Sequence, residues 1–402
     1  MTQTADRSPS DASSRDRERL VRSLAAATFL VFFQAYMVAP LIPRLAEVLG
    51  APVATAGLIV PAYLIPYGIA TLAYGPLADR FGRSRLMLGS LAAFVVLVPL
   101  TATAQSIWGL LAWRVATALG TSGLVPLGLA LIGALYPYEA RGRPLGWLFG
   151  AMAGGMATGS TLGAVLEPAL GWRGVFLSVG ALTLPVAALV IHDRHLLDSG
   201  NRARGPIRDL VTAYRTLLAP GRGLRTYAYV FTNAVFHSGV FTWLGLYFVR
   251  RYGLGEVGIG LALLGYGIPG FALGPIIGRA ADRWGRRWLV PSGLAIAATA
   301  AMLLVPRLPL TAAAIVVTVL SLGYDMTQPL LAGIVTSLGG PRGGQAMGLN
   351  VFLLFTGFGL GSLIFGAALG LGFASALILF GTFQLLTATL AVPLFRNEHQ
   401  QQ

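Results

Sequence analysis

The chain has 402 residues, of which 55% are hydrophobic and 11% charged, where a soluble globular protein carries about 25% charged residues. It holds no cysteine, four scattered histidines (His192, His195, His237 and His399), and a formal charge of +14 built from 29 arginines without a lysine. A disulfide framework, a thiolate metal site and a cysteine nucleophile are excluded, a zinc centre has too few histidines, and the basic charge reads as membrane topology rather than nucleic-acid binding.

Residues 1–22 read as a disordered tail, because Arg7, Arg15, Arg17, Arg19 and Arg22 stand among Ser, Thr and Asp without an apolar run or a small-residue cleavage site. Charge-poor apolar stretches then recur, and about 20 such residues cross roughly 30 Å of hydrocarbon as a helix. Twelve spans are expected, with cores at 23–43, 56–77, 86–104, 110–134, 144–166, 174–191, 226–249, 257–278, 288–305, 310–336, 345–368 and 373–394. The divisions at 101–106 and 370–372 carry no charge and rest on length alone. Twenty-three arginines fall on the side of the N-terminal tail, against Arg44, Arg173, Arg250, Arg251 and Arg307 on the other, with Arg114 inside a span. Cytoplasmic loops hold the positive excess, so both termini are expected inside.

The polar segment 193–222 divides the spans six and six, giving an N-terminal bundle at 23–192, a C-terminal bundle at 223–395 and a short cytoplasmic tail at 396–402. Within the segment Ile207, Leu210, Val211, Tyr214, Leu217 and Leu218 follow helical spacing, which predicts an amphipathic surface helix. The fold class is all-α, a polytopic membrane protein of two six-helix pseudo-symmetric bundles.

The two sixes repeat one another. Gly75-Pro76-Leu77-Ala78-Asp79-Arg80-Phe81-Gly82-Arg83 matches Gly278-Arg279-Ala280-Ala281-Asp282-Arg283-Trp284-Gly285-Arg286 at an offset of 203, and Tyr63 and Pro66 meet Tyr266 and Pro269 at the same offset. An offset of 202 pairs Gly146, Gly155, Gly159 and Ser160 with Gly348, Gly357, Gly361 and Ser362. Many secondary transporters are built from such internal repeats.

On these residues the chain resembles the major facilitator superfamily, drug:proton antiporter or sugar-efflux-like branch, over essentially its whole length. The carrying motif is G-x-L-A-D-R-x-G-R between spans two and three, with the weaker copy between spans eight and nine. The resemblance implies two bundles rocking in alternating access about a cavity lined mainly by helices one, four, seven and ten. It implies a conformational latch of Gly75, Asp79, Arg80, Gly82 and Arg83, repeated at Gly278, Asp282, Arg283, Gly285 and Arg286. Gly75 would let a neighbouring helix pack close, and Asp79 would pair with arginines and with a helix N-terminus of the other bundle. Arg80, Arg83 and Arg85 also fit a plainer role as topology residues and headgroup contacts. Arg114 opens a stretch resembling the proton-coupling motif R-x-x-Q-G-x-G, with Thr117 and Ala118 replacing Gln and the first Gly. Gly155-x3-Gly159-Ser160-x2-Gly163-Ala164 resembles the antiporter motif G-x3-G-P-x2-G-G, and equally fits a generic packing face.

An ionised carboxylate at a helix centre costs roughly 2.5–3.5 kcal/mol on insertion scales, so one retained there is expected to work. Of fifteen acids Asp325 alone lies deep, near the middle of span ten. By the resemblance, Gln34, Arg114, His237 and Asp325 converge on the cavity, with Tyr36, Asn233, Tyr324 and Gln328 as substrate contacts. Asp325 and His237 are the midplane groups able to titrate, and ionised Asp325 is expected to pair with a cation or with His237. A static hydrogen-bonded acid and a packing histidine are the plainer readings of the two.

No Walker loop, ordered Ser/His/Asp set or carboxylate pair suggests an enzyme, and no polar segment is long enough for a nucleotide domain. The expected function is a proton-coupled antiporter in the cell inner membrane that exports small amphipathic or drug-like molecules. It would work as a monomer, with the bilayer and a small molecule as partners, protons as coupling ion, and no other cofactor, metal or nucleic acid. A transporter of a small organic anion, with Arg114 and His237 as counter-charges, is the alternative. A transport-inactive receptor or scaffold is the rival from another class.

Overall fold

The computed structural model describes residues 14–136, 142–197, 207–219, 221–339 and 343–398, and every regular element among them is helical. Of the expected disordered tail 1–22, residues 1–13 lie outside the described residues, whereas residues 14–22 are not disordered but form the first turns of helix Ser14–Tyr36, held by ion pairs such as Arg19 with Asp193. Arg141 and Arg342 also lie outside the described residues, as do the side chains of Asp79, Asp282 and Arg279. Twelve spans form. Span three is Arg83–Thr101, span nine Arg286–Leu303, span eleven Gly343–Ala368 and span twelve Phe373–Leu394. Spans five and six run together as Gly142–His192, divided only at Gly171 (φ 67°). The uncharged divisions after Thr101 and before Phe373 fall where length placed them. Among the described residues seven helical stretches are long and apolar enough to cross a bilayer by length and composition, and Gly146–His192 suffices for two crossings.

The other spans are interrupted. Span one breaks between Ser14–Tyr36 and Ile42–Val48, span four between Ile107–Thr121 and Leu124–Leu135, span seven at Trp243, and span ten between Leu310–Asp325 and Gln328–Gly339. Span two enters through Val53–Ala56 and a 3-10 turn before Pro61–Phe81, and span eight divides into Glu256–Ala262 and Ile268–Trp284. Irregular backbone is tolerated at membrane depth only where protein or a water-filled cavity surrounds it, so these breaks mark the interior of the molecule.

The repeat reappears in the backbone. Gly82 (φ 94°) and Gly285 (φ 79°), 203 residues apart, each hold the left-handed conformation that turns one span into the next, and Gly171 and Gly372 (φ 93°) do so at the other face. Within the N-terminal half, added Cβ atoms at Gly155, Gly159 and Gly163 would collide with the backbone of span one at Phe29, Phe33 and Met37. In the C-terminal half Gly357 and Gly361 stand equally close to Phe231 and Val235 of span seven. The glycine stripe of span five is thus a packing face, as in small-residue contacts generally. Gly159→Ala should lower stability by about 1–3 kcal/mol through overpacking, read as a fall in the thermal midpoint of purified protein.

Each half is also tied at the arginine-rich face by an ion pair at the repeat offset. Arg19 on span one donates through Nε to buried Asp193 beyond span six at 2.9 Å, and Arg222 on span seven donates through Nε and Nη2 to Glu398 beyond span twelve at 2.7 and 2.9 Å. Burial would raise the Glu398 carboxyl, but Arg222 and Arg225 outweigh it and hold it below the usual carboxylate range. A depressed acid contributes stability above its unfolded pKa and loses it as pH falls through the folded value. Glu398→Gln should therefore lower the thermal midpoint at neutral pH and flatten its decline on acidification below the usual carboxylate range. Between the halves lies helix Ile207–Leu218, whose Leu217 packs with Tyr227, Val335, Ala346 and Leu349 rather than facing lipid alone.

The halves touch along spans two and eleven, where Gly68 meets Phe352, Phe355 and Thr356, and along spans five and eight, where Gly267 meets Ala157. They close firmly at the face opposite the arginines. There Gly245 backs onto Pro40, the Trp243 ring fills the space between Gly57 and Gly366 while its Nε1 donates to Ser362 O at 3.0 Å, and Arg44 reaches Glu167 at 3.3 Å and Glu256 at 3.9 Å. Seven residues along each stripe towards the arginine-rich face, at Gly75 and Gly150, nothing described lies within 4 Å of where a Cβ would stand. The halves part there. Among the described residues no neighbouring helix approaches Gly75 closely.

Candidate functional site

A seam of aromatic rings joins the halves between the broken spans. Phe32 and Tyr36 of span one and Tyr67 of span two meet Phe241, Phe355 and Phe358 of spans seven and eleven: Tyr67 stacks on Phe355 at 4.4 Å, and Tyr36 stands edge-on to Phe241 at 5.8 Å and to Phe358 at 6.3 Å. Ring pairs of this geometry add roughly 0.5–1.5 kcal/mol beyond area burial. Polar atoms in and around the seam lack partners. The hydroxyls of Tyr36 and Tyr67, Nδ1 of His237, Nε2 of Gln34 and both amide atoms of Gln328 are buried and unbonded. Such groups are costly in a membrane interior and are what a polar ligand satisfies.

Arg114 is fully buried and each of its nitrogens donates. Nη1 bonds Gln34 O at 3.2 Å and Gln34 Oε1 at 2.9 Å, Nη2 bonds Ala35 O at 3.1 Å, and Nε bonds Ile59 O at 3.3 Å. The guanidinium lies 4.3 Å over the Tyr63 ring, whose hydroxyl reaches Thr121 at 3.2 Å. Helix Ser14–Tyr36 ends at these carbonyls, so the cation caps the negative end of a half-helix and pins it to the turn of span two.

His237 and Asp325 do not pair, contrary to the sequence-based expectation. His237 Nε2 hydrogen-bonds the Tyr266 hydroxyl, and its ring stacks on Tyr324 at 4.2 Å. Asp325 ends its half-helix with Oδ2 accepting from Ser321 Oγ at 3.1 Å, and Ser321 Oγ itself accepts from Gly267 N–H at 2.8 Å; the carboxyl lies against Gly270 of span eight. Gly270, lacking a Cβ, makes the room that turns the acid towards span eight. Asn233 also stands elsewhere than expected: its amide donates to Thr327 Oγ1 at 2.9 Å and accepts from Gln384 at 3.0 Å, joining spans seven, ten and twelve inside one half. Tyr36 and Tyr324 stand at the seam, Tyr324 6.1 Å from Phe358, while Gln34 is held by Arg114 and Gln328 opens the second part of span ten. Sequence reasoning missed Tyr67, Phe241, Tyr266, Phe355, Phe358 and Gln384, although Tyr266 was visible as the repeat partner of Tyr63.

Of the latch residues, Arg80 is exposed with its guanidinium 5.4 Å from the Phe81 ring, Gly82 and Gly285 make the turns, Arg283 is exposed, and Arg286 approaches Gly333 of span ten. Ser160 donates to Ala157 O at 2.9 Å within its own helix.

Two pseudo-symmetric six-span halves, with interrupted spans around a common seam, define a membrane transporter fold. The profile of the Major Facilitator Superfamily matches residues 24–259 and 252–402, and the chain belongs to that superfamily. Among curated relatives, a chloramphenicol resistance protein of Streptomyces lividans is 30% identical over 265 residues, covering 65% of this chain and 66% of that protein. The chain spans about two thirds or less of the length of curated relatives it matches. Among solved structures, the D-xylose–proton symporter superposes with a TM-score of 0.75 at 16% identity, covering 94% of this chain and 97% of that one. The human organic anion transporter TETRAN superposes with a TM-score of 0.74 at 19% identity, covering 94% and 100%.

Proposed function

We propose that the chain is a proton-coupled secondary transporter, an antiporter that exports small, aromatic, amphipathic molecules by alternating access. The observation that carries this reading is the aromatic seam with its unpartnered hydroxyl, imidazole and amide groups: flat walls for a ring, and donors and acceptors for a few polar substituents. The printed name of the Streptomyces lividans relative, a chloramphenicol resistance protein, agrees with export of a small aromatic compound. The organic-anion alternative is less well supported, because every nitrogen of Arg114 already donates to protein oxygens.

In this reading the arginine-rich face and both termini are cytoplasmic, the bundles 23–192 and 223–395 rock about the segment 193–222, and the form described is inward-facing. Asp325 carries the proton. The Gly75 to Arg83 segment and its copy latch the cytoplasmic side when it closes, and the glycines of span five let the first bundle move as one body. No cofactor beyond the proton is invoked.

The test is reconstitution of the purified protein in liposomes with a fluorescent aromatic drug probe. An imposed pH gradient, acid on the side opposite the arginine-rich face, should drive probe towards that acid side, and collapse of the gradient by an uncoupler should stop it. Transport unaffected by the uncoupler would sink the coupling, and absence of probe counterflow would favour a receptor or scaffold. Single cysteines placed at 215 and 250 of this cysteine-free chain should label from opposite sides of the membrane.

A further inference from the structure

Outside the seam, a cavity of about 540 Å³ opens on the flank of the C-terminal half between spans eight and nine, within the roughly 300–1,000 Å³ of ordinary ligand sites. Its mouth is formed by Arg283, Trp284, Arg287 and Trp288 on either side of the Gly285 turn, with the two indoles 59% and 54% exposed. Its apolar floor runs over Ile277 and Leu289 to Met326, in the break of span ten.

The N-terminal half explains why the cavity exists. At the repeat offset of 203, Met326 corresponds to Gly123 and Ile277 to Tyr74. Tyr74 plugs that niche: its ring fills the space where a Cβ at Gly123 would stand, and its hydroxyl donates to Leu119 O at 2.9 Å and Gly120 O at 3.1 Å. Isoleucine at 277 cannot reach so far, and the niche stays open. The mouth differs too, since Trp284 and Trp288 replace Phe81 and Arg85.

We propose that this cavity binds an anionic phospholipid of the adjoining leaflet, its headgroup phosphate between Arg283 and Arg287 and one acyl chain laid over Ile277 to Met326. Charge complementarity selects the head, because arginine meets phosphate with paired donors. The tryptophans sit where amphipathic rings belong, at the level of the headgroups. The apolar floor then leads away from the arginines towards the membrane interior, which suits an acyl chain and not a free anion. Met326 follows Asp325 directly, so a seated chain packs against the hinge of span ten.

The experiment is lipid titration of the purified full chain in neutral detergent, followed by native mass spectrometry, with phosphatidylglycerol and phosphatidylcholine of identical chains as probes. The first phosphatidylglycerol should bind more tightly than phosphatidylcholine by on the order of tenfold. Arg283→Gln with Arg287→Gln should erase that preference, and Ile277→Tyr, which copies the plug of the other half, should remove the tight event for both lipids. Equal affinity for the two lipids, or an unchanged tight event in the Ile277→Tyr protein, overturns the proposal. Displacement of the lipid by inorganic phosphate at matching concentration would overturn the acyl-chain part. If Ile277→Tyr is not monodisperse, the double arginine variant decides alone.

Discussion

Asp325→Asn should abolish uphill, pH-gradient-driven movement of substrate in liposomes while leaving counterflow of the same substrate measurable. Asparagine has nearly the shape of the protonated acid, and its side-chain oxygen can still accept from Ser321, now at 3.1 Å from Oδ2. The fold and the seam are therefore kept. What is lost is the alternation between a neutral and an ionised group at the end of helix Leu310–Asp325, and with it any coupling of a proton to the swing of the halves. His237→Gln, by contrast, should retain gradient-driven transport, since a neutral amide can still bond Tyr266. Full gradient-driven accumulation by the Asp325→Asn protein would move the role to Glu167, a buried acid at the end of span five, or to a proton carried by the substrate.

The number of spans and the repeat were legible in the sequence because hydropathy and arginine placement act over long stretches, where single residues average out. The breaks in spans one, four, seven and ten were not. Trp243, Gly123 and Met326 are ordinary residues in an apolar run, and what holds the backbone open there is tertiary: Arg114 on the carbonyls of span one, and Asn233 with Gln384 on Thr327. Asp325 was legible from cost alone, but its direction was not. That depends on Gly270, a glycine in a different span whose missing side chain could not be weighed without knowing that spans eight and ten touch. Asn233 shows the converse error: a polar residue on a cavity-lining helix was read as a substrate contact, whereas its amide serves two neighbouring spans. The Arg19 and Arg222 clasps could have been found, since both arginines sit at the 203-residue offset and each half ends in an acid.

Arg114→Met is expected to be the most damaging single substitution in the N-terminal half, and the reason is accounting of acceptors rather than loss of charge. Methionine fills most of the volume but donates nothing, leaving the Gln34, Ala35 and Ile59 carbonyls and the Gln34 side-chain oxygen without the donor that now reaches them within 3.3 Å. Each buried polar group stranded in this way costs about 1–3 kcal/mol, so a combined loss above roughly 3 kcal/mol is expected. Arg114→Lys should be intermediate, because an ammonium keeps the charge but is a point donor that cannot span carbonyls from two different spans. The measurement is the thermal midpoint and monodispersity of the three proteins in detergent, with a single cysteine at Met37 reporting labelling of the break. Parent should be most stable and least labelled, Lys intermediate, Met worst. A methionine variant as stable as the parent, with an unlabelled break, would show that span one keeps its interruption without the arginine. Arg114 would then have to be retained for transport itself.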